Sequence, residues 1–268
     1  MDIIIGFILG VVEGLTEFAP VSSTGHMILV GHLLGFEGTV RASTFEVVIQ
    51  LGSILAVVFL FWNRILNILG IGRRESHQQS IGRLSVWHIA AGIAPFFACG
   101  FFFYDFIKSQ LFSTQTVVFT LIAGAVLMVI AEFFKAKSPA AVTLDQITYK
   151  QAFAVGLFQC FALAPGFSRA GASLSGGLLV GMNHKTAAEF TFIMAIPIMF
   201  AASGKDLWES WGYLTVNDIP LFATGFVTAF FVALIAIKFF LQLINRVKLI
   251  PFAIYRVLLA VVFWIFII

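Results

Sequence analysis

Charged residues are scarce in this sequence. Only 11% of its 268 residues are Asp, Glu, Lys or Arg, whereas 60% are hydrophobic. At a mean hydropathy of +1.01, one soluble core cannot cover this many apolar side chains, which excludes a soluble globular protein. We therefore expect a membrane-embedded protein with lipid covering much of its surface.

Cysteine is almost absent, with only two in the chain. Cys99 and Cys160 both lie in apolar runs, where an inert buried thiol is the common state, so we expect neither a disulfide nor a thiolate metal centre. The net charge of +3 does not point to a nucleic-acid partner, because basic residues of a membrane protein usually report its orientation.

Six long runs lack charged residues altogether and are close to the length of a membrane span. They predict an all-α polytopic protein of about six transmembrane helices that forms a single membrane domain over residues 1–268. The runs cover residues 47–62, 84–104, 113–131, 190–203, 219–237 and 257–268.

The charges of the connecting segments predict the orientation. Arg64, Arg73, Arg74 and Arg83 outnumber Glu75 after the first span, which predicts a cytoplasmic loop. Alternation then places both termini on the extracytoplasmic side of a plasma membrane. Further cytoplasmic charges would be Lys135, Lys137, Lys150, Arg246 and Lys248; extracytoplasmic ones would be Asp105, Lys108, Lys205, Asp206, Glu209 and Asp218.

Two further segments, residues 2–34 and 150–183, are apolar at both ends but interrupted in the middle. Both interruptions contain Ala-Pro followed by Ser and Gly, at Pro20 and Pro165. An acidic residue then opens the next span in each case, Glu46 and Glu189. We interpret each segment as a re-entrant helical hairpin, broken at its tip.

These similarities predict a duplication with halves of about 1–135 and 148–268. Three spans separate equivalent points of the halves, and an odd number makes the two copies enter the membrane from opposite faces. The tips would then meet near the midplane, where irregular backbone must be buried or line a wet cavity. The alternative is chance similarity among Ala, Pro, Gly and Ser, which are common in membrane helices.

Glu13 and Glu17 lie four residues apart, so a helix places both carboxylates on one face. Acids within an apolar segment usually face a bundle interior or a wet cavity. Paired carboxylate oxygens suit a hard cation, Mg²⁺ or Ca²⁺. The alternative is a hydrated pair at shallow depth without a special role.

Pro20 predicts a helix break, and the hydroxyls that follow predict the cap of a second helix. The free N–H groups at that helix start favour phosphate binding, and His26 is near enough to act as base or acid toward a hydroxyl. The alternative is that the hydroxyls only cap the helix. The predicted phosphate-binding residues at this tip are Ser22, Ser23, Thr24 and Gly25.

Ser168 and Arg169 occupy the matching tip of the second segment, and we expect Arg169 to be the only basic residue near the midplane. Its planar guanidinium suits two phosphate oxygens as a clamp, but it also suits the carboxylate of Glu13 or Glu17. Elsewhere, glycines at four-residue spacing predict only close helix packing: Gly6, Gly10 and Gly14.

Four segments resemble the undecaprenyl pyrophosphate phosphatase family, also called bacitracin resistance proteins, and the likeness extends along nearly the whole chain. Two carry the polar tips: residues 14–26 (Gly-Leu-Thr-Glu-Phe-Ala-Pro-Val-Ser-Ser-Thr-Gly-His) and 165–169 (Pro-Gly-Phe-Ser-Arg). The other two are residues 45–52 (Phe-Glu-Val-Val-Ile-Gln-Leu-Gly) and 250–256 (Ile-Pro-Phe-Ala-Ile-Tyr-Arg).

The resemblance implies a bacterial plasma-membrane enzyme that releases the terminal phosphate of undecaprenyl pyrophosphate with a divalent cation. It places the acidic motif on Glu13 and Glu17 and the arginine motif on Ser168 and Arg169. Family members usually have a second Ser where this chain has Ala170. The hydroxyl and histidine motif falls on Ser22, Ser23, Thr24 and His26.

These residues lead to a mechanistic hypothesis. Ser23 attacks the phosphate or activates a water, His26 exchanges the proton, and Arg169 offsets charge on the phosphoryl oxygens. The rival interpretation is a transporter or flippase of the lipid carrier, since inverted repeats with broken helices are typical of transport folds. The sequence leaves the oligomeric state open between a monomer and a homodimer.

Overall fold

The fold is helical throughout the part of the chain that the computed structural model describes, residues 2–71, 83–103, 106–111 and 113–267. The only β-type pairing within these ranges is an isolated bridge between Ala141 and Met182. The predicted charges at Arg73, Arg74, Glu75 and Asp105 lie outside the described residues.

The described part of the first half contains six α-helices, and a π-helix spans Ile107–Leu111 before the last of them. Serine or threonine side chains cap several of these helices; for example, the Thr39 hydroxyl accepts a hydrogen bond from the N–H of Ala42 at 3.1 Å. The helices are α1 (Asp2–Thr16), α2 (Ser23–Leu33), α3 (Val40–Leu60), α4 (Trp62–Ile68), α5 (Val86–Phe102) and α6 (Thr114–Phe134).

The second half contains five α-helices joined by short 3₁₀ turns. One such turn, Cys160–Leu163, continues the helix before the second tip. The helices are α7 (Tyr149–Gln159), α8 (Arg169–Leu179), α9 (His184–Ser210), α10 (Ile219–Val247) and α11 (Ile250–Ile267).

The chain is a multi-pass membrane protein, and each of the six predicted spans lies on a helix. Within the described ranges, five helices are long and apolar enough to cross a membrane: α3, α6, α9, α10 and α11. The sixth, α5, has 17 residues and is shorter than predicted. By contrast, α2 and α8 have 11 residues each, roughly 16 Å of helix, about half of a 30 Å hydrocarbon core.

Each broken segment places its first helix against the other half of the chain. The glycines of α1 face backbone carbonyls of α10: a Cβ on Gly6 or Gly10 would lie 2.7 Å from Leu221 O or 2.6 Å from Gly225 O. In the same way, Gly156 of α7 lies directly against Gly92 O of α5. The prediction that Gly6, Gly10 and Gly14 allow close packing is confirmed, while the duplication stays a prediction.

Polar contacts join connecting segments that the predicted orientation places on the same side of the membrane. At one end Arg41 joins Asp2 at 2.6 Å and Asp218 at 2.5 Å. At another, Arg64 makes two hydrogen bonds to Asp145, at 2.7 and 3.0 Å. Segments that we predict to share a side are therefore in contact with each other.

Glu132 holds a third junction. Its carboxylate accepts hydrogen bonds from Lys135, His184 and the N–H of Leu249, at 2.6, 2.9 and 3.2 Å. These contacts bring the end of α6 to the starts of α9 and α11, all of which we predict to be cytoplasmic. Which side of the membrane they occupy stays a prediction.

Candidate active site

Both tips are built in the same way, around a serine with positive φ. Ser22 has φ 72° and Ser168 has φ 70°, a conformation that a non-glycine residue adopts only when its surroundings compensate the strain. The compensation is a cap: Ser22 Oγ accepts from Gly25 N at 3.3 Å, and Ser168 Oγ accepts from Gly171 N at 3.1 Å. The predicted helix breaks and helix starts are therefore present at both tips.

The two tips meet at a cavity of about 170 Å³. The first tip contributes Glu17 and the hydroxyl residues Ser22, Ser23 and Thr24. The second tip contributes residues 164–166, Ser168 and Arg169. The remaining lining comes from Gln50 of α3, Phe96 of α5, Ala162, and the α9 residues Ile198, Met199 and Ala202.

A continuous chain of polar contacts crosses this cavity. Arg169 Nη2 donates a hydrogen bond to Glu17 Oε1 and also contacts Met199 Sδ at 3.0 Å. The Ser23 hydroxyl donates to the other Glu17 oxygen at 2.5 Å. The carboxylate thus links a guanidinium of one hairpin to a hydroxyl of the other.

This arrangement suits an anion. The arginine side chain is 15% exposed and the Glu17 side chain 8%, so their charges act in a poorly hydrated space where electrostatic attraction is strong. Among the described residues the hydrogen bonds of the Arg169 guanidinium all come from Nη2, and the residue lines the cavity. At each tip, the residues just before Gly25 or Gly171 lie in the first turn of a helix. Backbone N–H groups in a first turn have no partner within the helix.

Glu13 lies one turn before Glu17, away from the cavity lining, and its side chain is fully buried. Neither of its oxygens has a hydrogen-bond donor within the described ranges, while the Glu17 carboxyl lies beside it. Magnesium typically takes one or two carboxylates and completes its shell with water and phosphate oxygens. The orphaned oxygens beside a second carboxylate therefore fit a divalent cation, although no cluster of three His, Cys, Asp or Glu side chains occurs in the described part.

His26 does not line the cavity. Its Nδ1 lies 2.7 Å from the carbonyl oxygen of Ser22, and its Nε2 lies 2.7 Å from the Tyr255 hydroxyl. Because a carbonyl only accepts, Nδ1 carries the proton. The structure thus brings Glu17, and not His26, to the hydroxyl of Ser23; the predicted proton exchange by His26 stays a prediction.

The sequence comparison agrees with this geometry. The family model described as bacitracin resistance protein BacA matches residues 6–262, which include both tips and the helices around them. The chain belongs to this family. The predicted resemblance to undecaprenyl pyrophosphate phosphatases is thereby confirmed.

Ala170, where the resemblance implies a second serine, lies outside the cavity lining. Its methyl group faces an apolar pocket lined by Phe18, Pro20 and Leu174 among others. Thr191 lines the same pocket, and its buried hydroxyl has no hydrogen-bond partner within the described residues.

Sequence reasoning missed two contributions to this BacA site. The first is Gln50, which lines the cavity. The sequence feature that could have indicated this is its position one turn after Glu46 on the same helix. The second is Arg256 of α11, which is fully buried beside the second tip, so Arg169 is not the only basic residue there; the depth of both residues in the membrane stays a prediction. The sequence feature that could have indicated this is the position of Arg256 in an otherwise apolar segment.

Proposed function

We propose that this BacA family member hydrolyses undecaprenyl pyrophosphate to undecaprenyl phosphate and inorganic phosphate in the bacterial plasma membrane. The product is the lipid carrier of peptidoglycan synthesis, so the reaction recycles the carrier and confers bacitracin resistance. The proposal rests on family membership and on one observation: Arg169, Glu17 and Ser23 are joined within a cavity between the two tips.

The cavity fits the two parts of such a substrate. Its polar side offers a guanidinium, hydroxyls and two helix starts, which match a diphosphate. The cavity is also lined by the apolar residues Phe96 and Ile198, which suit the first carbons of a prenyl chain whose remainder stays in lipid.

In the proposed reaction the free N–H groups of Arg169 bind the terminal phosphate. Ser23 attacks its phosphorus, the oxygen bridging the two phosphates leaves with undecaprenyl phosphate, and water then releases the phosphate from the serine. Alternatively, Ser23 orients a water that attacks directly. In either case Glu17 is the group placed to accept the proton, because its carboxylate already accepts from the Ser23 hydroxyl.

A divalent cation, Mg²⁺ or Ca²⁺, would be held by Glu13 and Glu17. When bound, it would supply positive charge against the diphosphate oxygens. The orphaned Glu13 oxygens support this assignment.

The test is phosphate release from undecaprenyl pyrophosphate by the full chain purified in detergent, with Mg²⁺ or Ca²⁺ added and then removed with a chelator. We expect release by the unsubstituted protein and its loss in Arg169→Ala. Arg41→Ala is the matched control, since Arg41 pairs with Asp2 and Asp218 away from the cavity. Binding of the lipid without release would instead favour a carrier that uses the same cavity to move the lipid across the membrane.

A further inference from the structure

Arg256 connects α11 to the second tip through carbonyl groups. The side chain is fully buried. Its Nη1 donates to Phe167 O at 2.8 Å and its Nη2 to Gly166 O at 3.1 Å, both in the tip. The same guanidinium donates to the α6 carbonyls of Leu121 and Thr120, at 3.1 and 3.0 Å.

Two glycines leave room for this guanidinium. A Cβ on Gly124 of α6 would overlap Nη2 of Arg256, and one on Gly171 of α8 would lie 3.0 Å from Nη1. Gly171 is also the residue whose N–H the Ser168 cap accepts. The arginine therefore lies directly behind the start of the helix that carries Arg169.

The partners of Arg256 are unusual for a buried charge. Within the described residues they are all backbone carbonyls, with no carboxylate among them. A buried cation is costly unless its donors are satisfied, and four carbonyls satisfy most of the five N–H groups of an arginine. The hydrogen bonds to Gly166 and Phe167 also stabilise the turn before α8, in which Gly166 has φ 90° and Ser168 has φ 70°.

The residue before Arg256 contacts the first tip. The Tyr255 hydroxyl lies 2.7 Å from Nε2 of His26, and the two rings are nearly parallel, at 5°. Since Nδ1 carries the ring proton, the neutral imidazole accepts at Nε2 and the tyrosine donates. His26 in turn donates to the carbonyl of Ser22, the strained capping residue of α2.

We propose that Tyr255 and Arg256 are positioning residues, which together hold the two tips at the spacing that the reaction needs. Consecutive residues of one helix contact both tips, Tyr255 through His26 and Arg256 through Gly166 and Phe167. The inference rests on the proposed function, because the spacing that matters is the one between Ser23 and Arg169. We call this pair of residues the brace.

Tyr255→Phe tests the first contact, with Tyr149→Phe as its matched control, because Tyr149 stacks on His88 away from the cavity at a ring distance of 3.8 Å. Nitrogen NMR of protein labelled at its histidines reports each ring, and His26→Gln identifies the relevant signals. We expect a changed Nε2 signal of His26 in Tyr255→Phe alone, and a kcat lowered roughly 10-fold with little change in KM. Unchanged His26 signals and an unchanged kcat would overturn this part of the brace.

Gly124→Ala and Arg256→Lys test the second contact. The alanine would displace the guanidinium without removing it, but its Cβ would also lie 2.8 Å from the Phe167 carbonyl oxygen of the second tip. Arg256→Lys therefore assigns the effect to the arginine, because lysine keeps the charge but cannot reach four carbonyls at once. We expect kcat to fall roughly 10- to 100-fold in both, since small displacements of reacting groups have effects of this order. The controls are Gly204→Ala, where an added Cβ meets nothing within 4 Å, and Arg41→Lys.

The outcomes separate the two proposals. If the unsubstituted protein releases no phosphate, the proposed function fails, while the His26 signals still test the brace. If the protein is active and Gly124→Ala behaves like Gly204→Ala, the brace is refuted and the function stands. Should Arg256→Lys fail to fold, Gly124→Ala and Tyr255→Phe decide.

Discussion

Arg169, the first residue of α8, donates a hydrogen bond to the carboxylate of Glu17, which directly follows α1. The two residues are 152 positions apart in the chain, and each lies at the tip of a different hairpin. The ion pair therefore closes the site across the two halves, and a bound diphosphate would compete with Glu17 for the same guanidinium.

Replacing Arg169 by alanine should abolish most phosphate release, by roughly 100- to 1,000-fold, because the cation that opposes phosphoryl charge is lost. The substitution also leaves the buried Glu17 carboxylate without its cationic partner, which should lower stability by about 3–5 kcal/mol. Turnover and thermal unfolding in detergent measure the two effects.

The double variant Arg169→Ala, Glu17→Gln separates stability from activity. Neutralising the carboxylate should restore much of the lost stability without restoring turnover. If turnover returned together with stability, Arg169 would be only a structural partner of Glu17.

Ser23→Ala should reduce turnover to a small residual rate if the Ser23 hydroxyl is the nucleophile. Ser53→Ala is the control: Ser53 is a buried serine whose hydroxyl has no hydrogen-bond partner in the described residues. Rapid quenching during turnover should trap phosphate on the unsubstituted protein and none on Ser23→Ala. Full turnover by Ser23→Ala would assign the attack to water.

Glu13→Gln should raise the concentration of Mg²⁺ or Ca²⁺ needed for half-maximal activity, because one carboxylate of the proposed pair becomes a neutral amide. A cation titration of turnover measures the change. Glu37→Gln is the control, since Glu37 is an exposed acid paired with His32. Equal titrations of the two variants would argue against a cation at Glu13.

Gly10→Ala should destabilise the protein by about 1–3 kcal/mol through overpacking. The added Cβ would lie 2.6 Å from Gly225 O and 2.9 Å from Thr228 Cβ, so α1 must move away from α10. Thermal unfolding against Gly204→Ala measures the difference. Equal stability of the two variants would show that the contact between α1 and α10 is looser than described.

Asp145 provides a pH prediction. Burial by itself would raise the pKa of this carboxyl, but the hydrogen bonds from Arg64 and from Leu84 N lower the pKa below its ordinary value. The folded state thus favours the carboxylate, so its stabilising effect is present above the unfolded pKa of about 3.9 and is lost as pH falls through the folded pKa.

Asp145→Asn should accordingly lower the free energy of unfolding at pH 7, by about 1 kcal/mol because the pair is partly exposed and screened. Unfolding at pH 7 and at pH values below the ordinary Asp pKa measures the effect. The difference between the variant and the unsubstituted protein should shrink at the acid pH. A constant difference would mean that the charge of Asp145 is not what stabilises the junction.

The helix breaks and their capping were predictable because their signals are local. Pro20 and Pro165 cannot continue a helix, and a nearby serine caps the next one. The spans were also predictable, although counting uncharged residues ended the fifth one at residue 237, ten residues before α10 ends at Val247. Lys238 interrupts the pattern but not the helix, since its long side chain reaches outward.

The contacts made by α11 were not predictable from local patterns. Tyr255 and Arg256 follow an apolar sequence, and only tertiary packing brings them to tips that lie about 90 and 230 residues away. The orientation of the His26 ring is set by the same contact. Proximity in sequence suggested that His26 serves Ser23, but a ring on a helix points where its packing directs it.

The reciprocal packing of the two hairpins has a consequence for the smallest active unit. Because α1 lies against α10 and α7 against α5, a polypeptide ending near residue 135 would leave the glycine face of its own first helix uncovered. Either fragment alone would also carry only one member of the pair formed by Arg169 and Glu17. Turnover therefore requires both halves of the chain in contact. Fragments produced separately would have to reassociate before they could turn over substrate.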